Sequence, residues 1–176
     1  RLVQFFRTGT RYERQTKNMR RKDREMDQAF ALDVIDRCAY AVMSMVSPDG
    51  SPYGVPLSIV RIDEYIYFHC APEGKKLEAL RKNPKVSVSC VGNVKPLTDE
   101  FTTEFESAIV LGTAERVEAI SEKIEALRAI CLRYTPTHMD AFDSEVARSL
   151  HRTEVWKIHI DEVSSKRKKM KTEDQG

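Results

Sequence analysis

The chain has 176 residues, of which 41% are apolar and 32% charged, with a formal net charge of +2. That size and mixture fit one globular domain with a core of its own and exclude a disordered or membrane-embedded chain. A charge so near neutral creates no field that calls for nucleic acid or an anionic membrane, although Arg and Lys crowd both ends.

Four cysteines, Cys38, Cys70, Cys90 and Cys131, lie far apart and form no C-x-x-C pair. Three of them sit in apolar patterns, so reduced thiols are expected rather than a disulfide framework. No stretch approaches the roughly 20 apolar residues that a membrane helix needs, and no apolar signal-peptide core stands near the start. A cytoplasmic protein with no membrane and no nucleic-acid partner is the expectation.

Residues 1–18 are Arg-rich and lack helical or strand periodicity, and Met19 reads as a natural beginning. They are set apart as a leader or cloning extension, leaving a domain over 19–163 and a charged, flexible tail over 164–176. From Asp23 to Cys38, the residues Met26, Ala29, Phe30, Val34 and Ile35 recur at helical spacing, which predicts an amphipathic helix. Tyr40 to Val46 reads as a strand, and Ser47-Pro48-Asp49-Gly50 as a hairpin turn. A return strand over Tyr53–Arg61 and a third over Tyr65–His69 complete an expected three-stranded meander. Lys75–Lys82 predicts a short helix stopped by Asn83-Pro84. Lys85–Val91 alternates as a half-buried strand, Gly92–Thr103 reads as a loop, and Phe105–Val117 as a long strand that Gly112 allows to bend. Helices are expected over Ile120–Tyr134 and Met139–Leu150, and a last strand over Thr153–Val163. Six strands with few helices predict a mainly β, α+β domain: an antiparallel barrel or sandwich with helices outside.

The junction His69-Cys70-Ala71-Pro72-Glu73-Gly74-Lys75-Lys76 carries the most chemistry. Two lysines in a first helical turn oppose the helix dipole. A phosphate bound on the free N–H groups there would relieve that conflict, and Gly74 would let backbone approach it closely. The other reading is a solvated helix end with Glu73 answering the dipole. His69, beside Cys70 at a strand end, reads as a ligand contact, a general acid, a haem ligand or a structural residue. His138, His151 and His159 are scattered, so no metal site is expected. Pro56 cannot donate to a ladder, which makes Gly50–Leu57 an edge strand or a place where a planar ligand lies on the backbone. No Ser-His-Asp set, paired-carboxylate motif or G-x-G-x-x-G fingerprint stands out.

Taken in order, several pieces are similar to one family. They are Met19–Arg24, Asp49-Gly50-x-Pro52-Tyr53-Gly54-Val55-Pro56-Leu57, Tyr67-Phe68-His69, Gly74-x-Lys76-Leu77 and Asn83-Pro84-Lys85-Val86. Phe101-Thr102-Thr103, Glu106-Ser107, Gly112-x-Ala114 and Arg152-Thr153-x-Val155 continue the series. The chain resembles the pyridoxamine-phosphate-oxidase-like flavin proteins, in particular their 5-nitroimidazole resistance branch, over roughly Met19 to Lys166. The resemblance implies a six-stranded split β-barrel working as a homodimer, with FMN sites shared between subunits. It implies an oxidoreductase that takes electrons from NAD(P)H and reduces a small acceptor such as a nitroaromatic. The alternative is a non-catalytic flavin- or haem-binding protein with His69 as ligand. Val55, Pro56 and Leu57 would line the flavin ring, and Lys75 and Lys76 would gather the phosphate. His69, Cys70, Gly74 and Ser107 complete the expected cofactor set, with His69 as the catalytic group. No Arg-Leu-x-Pro follows Trp156, so vitamin B6 oxidation is not expected.

Overall fold

The computed structural model describes residues 19–169. The leader expected over 1–18 and the end of the tail, 170–176, lie outside the described residues. A 3-10 turn over Lys22–Arg24 and a two-residue strand, β1 (Glu25–Met26), stand where the helix was expected to begin. Helix α1 spans Gln28–Arg37 and starts at Asp27, whose side chain accepts a hydrogen bond from Phe30 N at 2.9 Å. Such a cap contributes about 1 kcal/mol. Ala31, Val34 and Ile35 form its buried stripe.

Strands β2 (Ala41–Val46) and β3 (Pro52–Leu57) pair through the expected turn, with Gly50 at φ +85°. The return strand does not continue to Arg61. It breaks at Ser58-Ile59, and β4 (Val60–Ile62) pairs with β5 (Tyr65–Cys70) instead. At the break Ile59 is fully buried, and the Tyr134 hydroxyl serves both its N–H and its carbonyl at 3.0 Å. Helix α2 (Lys75–Lys82) falls where the sequence placed it.

Strands β6 (Lys85–Leu97) and β7 (Thr102–Arg116) form one long hairpin, so the loop expected over Gly92–Thr103 is mostly strand. The alternation was hidden by a bulge at Gly92-Asn93, where the register slips between Val91 and Val94. Glu106 fills the bulge by accepting from Asn93 N at 3.2 Å. Helices α3 (Ile120–Tyr134) and α4 (Phe142–Ser149) follow, the second entered through 3-10 turns over Pro136–Ala141. The final strand, β8 (Glu154–Lys168), runs five residues past the expected Val163. Its polar end is strand rather than flexible tail because β7 and β1 pair with it, and buried Ser165 donates to the Met26 and Asp27 carbonyls. Partner strands outweigh the low intrinsic preference of Ser and Lys for extended structure.

The sheet therefore holds eight antiparallel strands rather than six, in the order β3-β2-β6-β7-β8-β5-β4 with β1 added on β8. Strands β3 and β4 lie at opposite ends of that order, yet only Ser58 and Ile59 join them in the chain. Three Cα steps of 3.8 Å span at most about 11 Å, so the sheet must curl until its two ends nearly meet. This curled sheet with an unpaired seam is a split barrel. Ile35 of α1 and Leu77 and Leu80 of α2 share the interior with Met43, Phe68, Val88, Val110 and Ile158. Tyr67, Val117, Ala126 and Val155 form a second cluster where α3 covers β5 and β8 from outside. Among the described residues no helix covers the outer face of β2, β6 and β7, where Val46, Val91, Ile109 and Leu111 are exposed. No described helix is long and apolar enough to cross a membrane.

Candidate functional site

The seam is the place where strand edges are left unpaired. Strand β3 pairs only with β2, so its other edge is open, as Pro56 suggested. Side chains alternate along a strand. Val55 and Leu57 pack inward against the core, while Gly54 and Pro56 are exposed outside. Across the seam, β5 ends in His69 and Cys70, which face opposite ways. Cys70 packs against the interior, and His69 lies opposite Val155 of the outer cluster.

The first turn of α2 bridges the two sides. Lys75 Nζ lies 4.6 Å above the Tyr53 ring on β3, and Lys76 Nζ lies 5.3 Å from the Phe68 ring on β5. Gly74 precedes them at φ +127°, a conformation that residues with a Cβ rarely adopt. No side chain caps this helix, and its first backbone bond runs from Leu77 N to Gly74 O. The Lys75 and Lys76 N–H groups precede that bond, and each of these residues also carries an ammonium group. That donor set fits a phosphate.

His69 is exposed at the strand end, yet surrounding protein desolvates its ring. That burial, with the Lys76 ammonium second, holds the imidazole below its usual pKa. Among the described residues it makes no side-chain hydrogen bond. A neutral, unbonded imidazole suits a ligand contact or an iron ligand. Burial pushes the Cys70 thiol up, opposed by Lys76. Opposite Cys70, buried Glu154 pairs with Arg116 at 3.0 Å and accepts from Trp156 Nε1 at 3.1 Å.

Through these ring contacts Lys75 meets β3 and Lys76 meets β5, with Gly74 just before them, His69 and Cys70 at the end of β5 and Val55–Leu57 along the open edge of β3. Ser107 is not among them. It stands on β7, three strands from β3 and so about 14 Å along the sheet, beside Val91 and Lys166. Tyr53 and Phe68 stood in the motifs that carry the resemblance but received no role, and Arg116 and Glu154 escaped the sequence reading. Their roles depend on cross-strand neighbours, and only the aromatic character of the first two hinted at ring contacts. Among the described residues no three His, Cys, Asp or Glu gather as metal ligands would.

A family model for pyridoxamine 5'-phosphate oxidase matches residues 27–167. Among curated proteins none matches the sequence. Several solved structures share the fold. A proposed 5-nitroimidazole antibiotic resistance protein from Bacteroides thetaiotaomicron is 24% identical, with 81% of this chain and 85% of that one covered at a TM-score of 0.67. An FAD and haem binding protein from Mycobacterium smegmatis is 22% identical over 86% and 76%, with a TM-score of 0.69. An FAD-binding protein from Mesorhizobium loti is 22% identical over 83% and 98%, with a TM-score of 0.61.

Proposed function

Because this chain belongs to the pyridoxamine 5'-phosphate oxidase family, we propose that it binds FMN at the barrel seam and passes electrons from NAD(P)H to a small acceptor such as a nitroaromatic. The observation that carries this reading is the uncapped first turn of α2, with Lys75 and Lys76 on either side of the seam. The phosphate would rest on the α2 N–H groups and both ammonium groups. The open edge of β3 at Val55–Leu57 would face the ring system, and exposed Gly54 and Pro56 leave room for it. A bound flavin supplies hydride and electron transfer. The chain supplies position, charge and access. His69, neutral and free of internal bonds, would meet the ring or the acceptor and can take or give a proton there.

The reading includes a homodimer in a cytoplasmic setting. Val46, Val91, Ile109 and Leu111 form an apolar patch on the bare outer face, suited to a second copy about a two-fold axis. Ser107 shares that face, where it would serve the partner's cofactor rather than its own. Cys38, Cys70, Cys90 and Cys131 are all unpaired, as reducing surroundings favour. Anaerobic mixing of FMN-loaded protein with NADPH tests the activity. Bleaching of the flavin band and its return on adding a nitroimidazole are expected, and a band that neither donor nor acceptor changes would refute turnover. A monomer by light scattering at micromolar concentration would refute the shared site.

A second reading rests on His69 itself. An exposed, neutral imidazole without a hydrogen-bond partner is suited to haem iron, and one structure of similar fold is a FAD and haem binding protein. Haem uptake that His69→Ala abolishes, in a variant that keeps its melting temperature, would favour this reading over flavin turnover.

A further inference from the structure

The pairing that extends β8 also joins two stretches that are far apart in the chain. Glu25 and Met26 of β1 pair with Lys166 and Ser165 of β8, so residues 20–25 and 166–169 meet at one corner of the sheet. These stretches carry eight basic residues and two carboxylates, whereas the whole chain has a net charge of only +2. The rest of the chain is therefore net acidic, and the near-neutral total conceals a cationic corner. Within it Lys22 pairs with Glu25 at 3.0 Å, and Arg21 and Arg24 share Asp23. Among the described residues Arg20, Lys166, Lys168 and Lys169 have no ion pair. Arg167 rests over the Phe30 ring at 5.3 Å. Lys166 and Lys168 lie on the other face of the strand, about 7 Å apart. Because β7 and β1 flank this end of β8, its cations stand on a sheet rather than on a free tail.

We propose that this corner, formed by β1 and the end of β8, binds the phosphate backbone of nucleic acid without reading its sequence. Unpaired cations meeting a row of phosphates release the counterions held there, and such contacts carry no base information. Cations fixed on paired strands lose less freedom on binding than those of a mobile tail. The acidic remainder of the surface turns phosphate away, which directs its approach to the corner. An anionic bilayer suits the corner less well. No large apolar side chain of residues 20–26 or 164–169 is exposed, so nothing there would enter the lipid, and charge would be a membrane's only hold. The proposal is independent of the flavin reading, because the cations it uses are neither on α2 nor along the seam.

The test titrates the full chain into a short fluorescein-labelled DNA duplex and reads anisotropy at several salt concentrations. If the four cations without an ion pair meet phosphates, raising salt from 50 to 200 mM should weaken binding about 150-fold. Lys166→Gln with Lys168→Gln should weaken binding at the lower salt by about tenfold or more and flatten the salt slope by about 2. Lys166→Arg with Lys168→Arg, which keeps both charges, should bind as the unmutated chain does. Lys82→Gln with Lys123→Gln removes as much charge from α2 and α3 and should change affinity by less than about twofold. No binding at the lower salt, or equal losses in the two Gln variants, would overturn the proposal. So would sedimentation of the protein with phosphatidylserine vesicles while the duplex stays unbound.

Discussion

Replacing Lys75 and Lys76 together by Gln should separate FMN from riboflavin, because the two flavins differ in the phosphate alone. Both ammonium groups sit over aromatic rings, Lys75 Nζ 4.6 Å from the centre of Tyr53 and Lys76 Nζ 5.3 Å from the centre of Phe68. A charge-assisted hydrogen bond contributes about 1.5–3 kcal/mol when shielded from water and less when exposed. Lys76 is half-buried and Lys75 exposed, so about 2 and 1 kcal/mol are the reasonable shares. Their sum of about 3 kcal/mol corresponds to a roughly 150-fold loss of FMN affinity. Riboflavin has no group to meet the ammonium ions, so its affinity should change by less than about threefold. Gln keeps most of the stem, which limits the loss of packing on the rings. Fluorescence titration of each flavin against each protein gives the four constants. Equal losses for both flavins, or an unchanged FMN constant, would refute a phosphate on the first turn of α2.

Gly112→Ala should be costly, because an added Cβ would lie 2.4 Å from the His159 carbonyl oxygen and 2.5 Å from Ile158 Cγ2, at a register shift between β7 and β8. A loss of about 2–4 kcal/mol and a melting temperature lower by roughly 5–12 °C are expected by calorimetry; an unchanged transition would contradict the tight packing. Tyr134→Phe removes the hydroxyl that serves both backbone groups of buried Ile59, so urea unfolding should show a loss of about 1–3 kcal/mol. For Glu106, burial alone would raise the carboxyl, but the Arg37 guanidinium and the Asn93 N–H outweigh it and leave the pKa lowered. A lowered folded-state pKa stabilises the fold above the unfolded value of about 4.3 and loses that contribution as pH falls through the folded value. Glu106→Gln should therefore be less stable at neutral pH and show a flatter decline below about pH 5; an acid limb unchanged in slope would refute the role.

Much of the fold was legible in local pattern. Helices α2 and α3 fall on their expected residues because apolar spacing, Asn83-Pro84 and long uninterrupted periodicity all act within one element. Wherever a distant partner decides the structure, the reading failed. The break at Ser58-Ile59 depends on a hydroxyl 75 residues away, and the Gly92-Asn93 bulge is completed by Glu106 from the neighbouring strand. The polar end of β8 holds because β7 and β1 flank it. The site divides in the same way. The α2 turn was readable from two lysines set against a helix dipole, whereas its span across the seam, from Tyr53 to Phe68, appears only once the sheet curls. Ser107 could be placed on a strand but not on a face, and the face is what parts it from the rest.

In the proposed function, the seam would hold a flavin through the α2 turn. Purified protein incubated with excess FMN, desalted and examined by visible absorption tests it most directly. Twin flavin bands that remain with the protein are predicted, and they should be lost when Lys75 and Lys76 are both replaced. Protein that emerges colourless after FMN, yet develops a sharp Soret band with haem, would contradict the account.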